Sequence, residues 1–140
     1  MFLVDTNIVS EARKGTRADS GVRAFLREAG QESAALFLSA ITVGELRRGV
    51  SLIRHRGDTR QAQTLETWLS ALLEGYADRI LDFDRDVAEV WGHLRVPDPG
   101  NPLDKQIAAT ALVYDLTVVT RNASDFASTG VRVLNPFRQH

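Results

Sequence analysis

The 140-residue chain has no cysteine. That excludes disulfides and a thiolate zinc site and agrees with a reducing compartment. Histidine is scarce, and His55 and His93 lack the spacing of paired metal ligands. No apolar run approaches the ~20 residues needed to cross a bilayer. The run that begins at Met1 has neither a basic leader nor a cleavage site, so it does not read as a signal peptide. A cytoplasmic protein with no membrane role is expected. Net charge is nearly absent, because the two signs almost cancel: the formal balance is −1. No global basic field therefore advertises a nucleic-acid partner, which would have to be held by a local patch. Lysine is rare too, with two against fifteen arginines, and the planar arginine fork suits phosphate. Internal repeats and low-complexity tracts are absent. What is present is 44% hydrophobic residues, enough for one sizeable core and one domain over residues 1–140.

Hydrophobic patterning organises that core. Phe2-Leu3-Val4, Ala35 to Ser39, Arg79 to Phe83, Leu116 to Thr120 and Val131 to Leu134 read as short buried strands. Helical patterns lie between them. One runs from Thr6 to Lys14, and a second, capped by Asp19 or Ser20, stops near Gly30. A third opens at Thr42-Val43-Gly44-Glu45 and ends at Arg54-His55-Arg56-Gly57. Asp58 and Asp84 cap two more, the first stopping at Gly75. Pro97-Asp98-Pro99-Gly100-Asn101-Pro102 is the strongest breaker, delivering a helix from Leu103 to about Tyr114. Arg121 to Phe126 reads as a turn. Strands alternating with helices, without tight hairpin signals, imply a parallel sheet with right-handed crossovers. The expected fold is α/β, a three-layer α/β/α sandwich around a central parallel sheet.

Four acids fall in comparable places. Asp5 follows the first strand, and Glu45 lies in the first turn of the helix after the second. Asp104 lies in the first turn after the proline-rich loop, and Asp125 in the turn after Thr120. Such connections share one rim of a parallel sheet, and several can meet where strand order reverses. Each also has an ordinary structural reading. Asp5 can cap a helix, and Thr42-x-x-Glu45 matches a capping box. Asp104 suits the positive end of a helix dipole, and Asp125 can close an Asx-turn. Grouped on one rim, however, carboxylates repel and raise one another's pKa unless a cation compensates. Oxygen ligands without histidine or cysteine suit a hard ion, Mg²⁺ or Mn²⁺.

Leu3-Val4-Asp5-Thr6-Asn7, Val43-Gly44-Glu45-Leu46, Leu103-Asp104-x-x-Ile107-Ala108 and Val119-Thr120-Arg121-Asn122-x-x-Asp125-Phe126 resemble, in order, the motifs of PIN-domain proteins. The likeness is to VapC-type toxins of bacterial toxin–antitoxin pairs, particularly the FitB-like branch with its Asp-Thr-Asn-Ile-x-Ser-Glu opening. It runs nearly from end to end. The resemblance implies a Mg²⁺- or Mn²⁺-dependent endoribonuclease acting on RNA such as tRNA. It also implies a homodimer and a cognate antitoxin protein, with operator DNA reached only through that antitoxin. By position, Asp5 and Asp104 match the principal metal-binding acids and Glu45 the second acid. Asn122 and Asp125 are both candidates for the last metal-facing group, and Thr120 matches a polar residue lining the site. The alternative is a catalytically weak or inactive PIN-like module that works by protein or nucleic-acid binding.

An acidic crevice needs cations beside it to hold RNA. Arg47, Arg48, Arg54, Arg56, Lys105 and Arg121 are the expected sources. Trp68 and Trp91, on apolar helix faces, read as core rather than as base-stacking platforms. Two other readings fail on missing acids. A haloacid-dehalogenase-like phosphatase needs a second acid where Asn7 stands. A receiver domain needs an acidic pair after the first strand and a phosphorylatable aspartate near mid-chain.

Overall fold

The computed structural model describes residues 1–138, so the last two residues of the expected domain, 139 and 140, lie outside the described residues. Strands β1 (Phe2–Val4), β2 (Leu36–Ser39), β3 (Ile80–Leu81), β4 (Thr117–Val119) and β5 (Val133–Leu134) form one parallel sheet in the order β3-β2-β1-β4-β5. Between them run α1 (Thr6–Ala12), α2 (Ser20–Gln31), α3 (Ala40–His55), α4 (Thr59–Gly75), α5 (Arg85–Leu94) and α6 (Pro102–Tyr114). Among the described residues no helix is long and apolar enough to cross a membrane.

Side chains alternate across a strand, so neighbouring residues feed opposite faces. Val4, Leu38 and Val119 pack in one core with Ile8, Val22, Leu46 and Leu69, under α1 to α4. Leu3, Val118 and partly buried Phe37 pack in the other with Ile107, Ala108 and Ala111 of α6. Two apolar faces covered by helices make the three-layer sandwich, and they explain why every strand lacks a polar alternation.

The chain builds outward from β1 through β2 to β3, then returns to place β4 on the other side of β1. Strand order thus reverses between β1 and β4, which pair in register from Phe2–Thr117 to Val4–Val119. Both strands point their C-terminal ends at the same rim.

Helix starts follow the capping residues. The carboxylates of Asp19, Asp58 and Asp84 accept from the amides of Gly21, Gln61 and Val87 at 2.8, 3.1 and 3.0 Å. One expectation fails. The capping box at Thr42 does not form, because Ser39 comes first: its hydroxyl accepts from the Ile41 amide at 3.0 Å and α3 starts at Ala40. Thr42 is then inside the helix, fully buried, and its hydroxyl has no hydrogen-bond partner. Thr42→Val keeps the shape and removes the orphaned hydroxyl, so thermal unfolding should show a gain of about 1 kcal/mol. A loss of that size would restore the capping box.

Smaller differences have local causes. The helix expected over Thr6 to Lys14 stops at Ala12 and continues as a 3₁₀ turn, Gly15–Arg17, entered at a left-handed Gly15. β3 is shorter than Arg79 to Phe83 because it is an edge paired only with β2, with the Asp84 cap close behind. The turn after β4 extends into a 3₁₀ helix, Ala123–Thr129, closed by a left-handed Gly130.

Candidate active site where the strand order reverses

Asp5 stands at the end of β1 and is only 5% exposed. One carboxylate oxygen, Oδ1, accepts from the Thr6 amide at 2.8 Å, closing the start of α1 as the cap reading anticipates. The other, Oδ2, accepts from the Thr120 hydroxyl at 2.8 Å and from Asn7 Nδ2 at 3.3 Å. Thr120 is fully buried at the end of β4, so the Asp5–Thr120 bond spans the point of strand reversal. Burial pushes the Asp5 carboxyl above its ordinary value, with hydrogen bonds from Thr120, Thr6 and Asn7 pulling the other way and the Asp125 charge adding to the rise. A charge here is held by donors but shielded from water.

The other acids arrive at the same rim. Glu45 lies in the second turn of α3, not the first, and accepts from the Thr6 hydroxyl at 3.2 Å. Burial raises its pKa, and Asp5 adds to the rise. Asp104 lies in the first turn of α6, where the sequence places it. Its pKa is pushed up to about 6, first by burial and then by the charges of Asp5, Asp125 and Glu45. Every one of the four acids therefore acts electrically on at least one other. Asp125, half-buried in the 3₁₀ helix, forms no side-chain hydrogen bond with any described residue, so the Asx-turn reading does not hold. Asn122 contributes its backbone amide, which donates to Thr120 Oγ1 at 3.1 Å, while the residue itself is exposed.

This donor set fits a hard divalent cation: oxygen atoms alone, under mutual repulsion that an ion relieves. Among the described residues, no three acidic or histidine side chains close into a finished ion cage. Residues 2–131 match the PIN domain family. The chain belongs to that family. It is 36% identical to toxin FitB of Neisseria gonorrhoeae over 98% of this chain and 99% of the relative. It is 32% identical to VapC ribonuclease Y4jK of Sinorhizobium fredii, over 98% of each. Among solved structures, it superposes on the crystal structure of FitAcB from N. gonorrhoeae with a TM-score of 0.82 at 35% identity, covering 97% of this chain and 98% of that one.

Two residues of this PIN domain escaped the sequence reading as members of the site. Asn7 touches Asp5 Oδ2, donates to Thr120 Oγ1 at 3.1 Å and accepts from the Arg121 amide at 3.0 Å. Thr6 bonds Asp5 through its amide and Glu45 through its hydroxyl. The signal was present: three consecutive polar residues, Asp5-Thr6-Asn7, break an otherwise buried entry into α1. If the acids hold a divalent cation, Asn7→Ala should weaken that ion's binding, and any cleavage that depends on it, by roughly 10–100-fold, the usual cost of removing a group that orients a ligand. Calorimetric titration with Mn²⁺ would show it, and unchanged binding and rate would remove Asn7 from the site.

The expected cations divide sharply. Arg47 pairs with Glu66 of α4 at 2.7 Å and Arg54 approaches the same carboxylate at 4.0 Å, so both serve helix pairing in the PIN domain. Lys105 is 3% exposed and donates to the backbone carbonyl of Asp98, tying the proline-rich loop to α6. Arg48 and Arg56 are exposed. Arg121 alone adjoins the acids and faces solvent, its guanidinium 4.6 Å over the Phe137 ring. His55 and His93 are exposed, Trp68 packs at the edge of the first core, and half-buried Trp91 donates to the Pro102 carbonyl at 3.1 Å.

Proposed function

We propose that this PIN domain, acting as a single unit over residues 1–140, is the ribonuclease toxin of a toxin–antitoxin pair. The carrying observation is the crowding of four carboxylates at the reversal point, with Asp104 raised to about 6 by burial and then by the other three. Likeness to toxin FitB and to a VapC ribonuclease supports the substrate class and the pairing with an antitoxin. The resemblance of the motifs adds a homodimer to that reading.

Asp5 and Asp104 would hold Mg²⁺ or Mn²⁺, with Asp125 the third acid whose charge reaches both. A divalent cation there supplies Lewis acidity toward a phosphate oxygen and toward water. Thr120 and Asn7 hold Asp5 in one orientation, so the site needs no rearrangement to accept charge. Glu45, raised by burial and anchored by Thr6, takes the proton from the attacking water. Water attacks the scissile phosphorus, the P–O3′ bond breaks, and the 3′ oxygen leaves as a hydroxyl after taking up a proton. The products carry a 5′-phosphate and a 3′-hydroxyl. Asn122, exposed at the rim, would bond a phosphate oxygen.

Purified protein incubated with labelled single-stranded RNA and Mg²⁺ or Mn²⁺ should cleave it, EDTA should stop the reaction, and the downstream fragment should bear a 5′-phosphate. RNA that is bound but not cut under these conditions supports the binding-module alternative. Cleavage that persists in EDTA overturns the metal reading.

A further inference from the structure

A cleft of about 570 Å³ opens beside the acidic crevice, between the end of α1, the start of α2 and the segment that follows β5. Four basic residues line it: Lys14, Arg17, Arg121 and Arg138. Its two acids face inward to their own partners. Glu11 accepts from Lys14 Nζ at 3.0 Å and from the Asp19 amide at 2.8 Å. Asp19 accepts from the amides of Gly21, Val22 and Arg138 at 2.8, 3.2 and 3.1 Å. Arg17, Arg121 and Arg138 are exposed and form no ion pair with any described residue. In a chain of net charge −1, this is a local excess of positive charge with its counter-charges already engaged.

The cleft is built rather than incidental. Its far wall is the segment Asn135 to Arg138, which lies so close to α2 that a Cβ on Gly21 would collide with the Pro136 carbonyl. Asn135 Nδ2 donates to the Arg121 carbonyl at 3.3 Å, and the Phe137 ring supports the Arg121 guanidinium from below. Arg121 is the hinge between the two sites. Its neighbours Thr120 and Asn122 belong to the acid network, and its amide bonds Asn7.

We propose that this cleft binds the phosphodiester backbone of the RNA strand next to the bond being cut. The strand crosses the acids and continues between Arg121, Arg17 and Arg138. The inference rests on the reading that RNA is the substrate. It places the strand on the α1–β5 side of the crevice, away from the α3 arginines, whose members Arg47 and Arg54 are committed to Glu66. Arginine forks in a water-filled cleft recognise phosphate without reading base sequence.

The test uses Arg17→Gln/Arg138→Gln, two exposed arginines outside the acid network that form no ion pair with any described residue, with Arg47→Gln/Arg54→Gln as the comparison. Binding of a short fluorescein-labelled single-stranded RNA is followed by anisotropy in EDTA across a salt series, where no cleavage is required. The cleft variant should bind roughly tenfold more weakly near 0.1 M salt, and its log–log salt slope should fall by about 1.4, the loss of two phosphate contacts. Its cleavage should show a higher KM with kcat within about twofold. The α3 variant should change neither. Unchanged affinity and slope in the cleft variant, or the larger change in the α3 variant, would overturn the proposal. Loss of binding in the cleft variant of a protein that never cleaves RNA would leave the cleft standing and bring down the catalytic reading instead.

Discussion

Asp5→Asn is expected to abolish RNA cleavage, by roughly a thousandfold or more, while the protein remains folded. The substitution keeps the side-chain shape and the oxygen that accepts from the Thr6 amide. It removes the one formal charge that β1 contributes to the site. A bound divalent cation supplies several kcal/mol of transition-state charge stabilisation, and each 1.36 kcal/mol is a factor of ten in rate. The fold should tolerate the change, because burial already disfavours the Asp5 charge in the absence of a cation. Single-turnover cleavage and a thermal melt on the same preparation check both halves. Full activity in a folded Asp5→Asn protein would exclude Asp5 from the chemistry.

Asp104→Asn should do two opposite things. In EDTA it should stabilise the protein at neutral pH, and with Mg²⁺ it should cut cleavage by about a hundredfold or more. Asp104 titrates at about 6 in the folded chain against an ordinary 3.8. Between those values the folded state binds more protons than the unfolded state, so stability falls as pH rises through the window. Two units correspond to about 3 kcal/mol. The site is open enough to solvent to reduce that to about 1–2 kcal/mol. At pH 7 the asparagine variant lacks this penalty and should melt roughly 3–7 °C higher. At pH 3.5 most of the gain should disappear, since Asp104 is then largely protonated in both states. Adding Mg²⁺ to the wild type should recover part of the same stability, because an ion that binds only the folded state stabilises it by mass action. Melts of the two proteins that run parallel from pH 3.5 to 7 would contradict the electrostatic account.

The parallel sheet and both helical layers were legible because the strands are short, uninterrupted apolar runs between capped helices. Asp58 and Asp84 announced their helices correctly, and of the two caps open for α2 it is Asp19 rather than Ser20 that binds the amides, each carboxylate having an amide two or three residues on. At α3 two hydroxyls competed, and proximity favoured Ser39 over Thr42. Pattern matching cannot rank such neighbours. The meeting of the four acids follows from topology: each stands beyond a strand's end or near a helix start on one rim of a parallel sheet. The partners of Asp5 were harder. Thr120 lies 115 residues away, and no local pattern pairs its hydroxyl with a particular carboxylate oxygen. Long-range placement also hid the basic cleft. Arg17 and Arg138 have ordinary sequence surroundings and become neighbours only when the segment after β5 folds back over α2.

The bond between Asp5 and Thr120 has a consequence in time. Thr120 leaves the ribosome 115 positions after Asp5. At the usual 5–20 residues per second, about 6–23 s pass between the two. During that interval Asp104 and Asp125 are also largely unmade, and β1 has no β4 to pair with. A growing chain thus carries an acid that cannot yet assemble a site. If the folded protein cuts RNA, its own messenger is spared until Thr120 has emerged, and any inhibitor has that interval in which to be present.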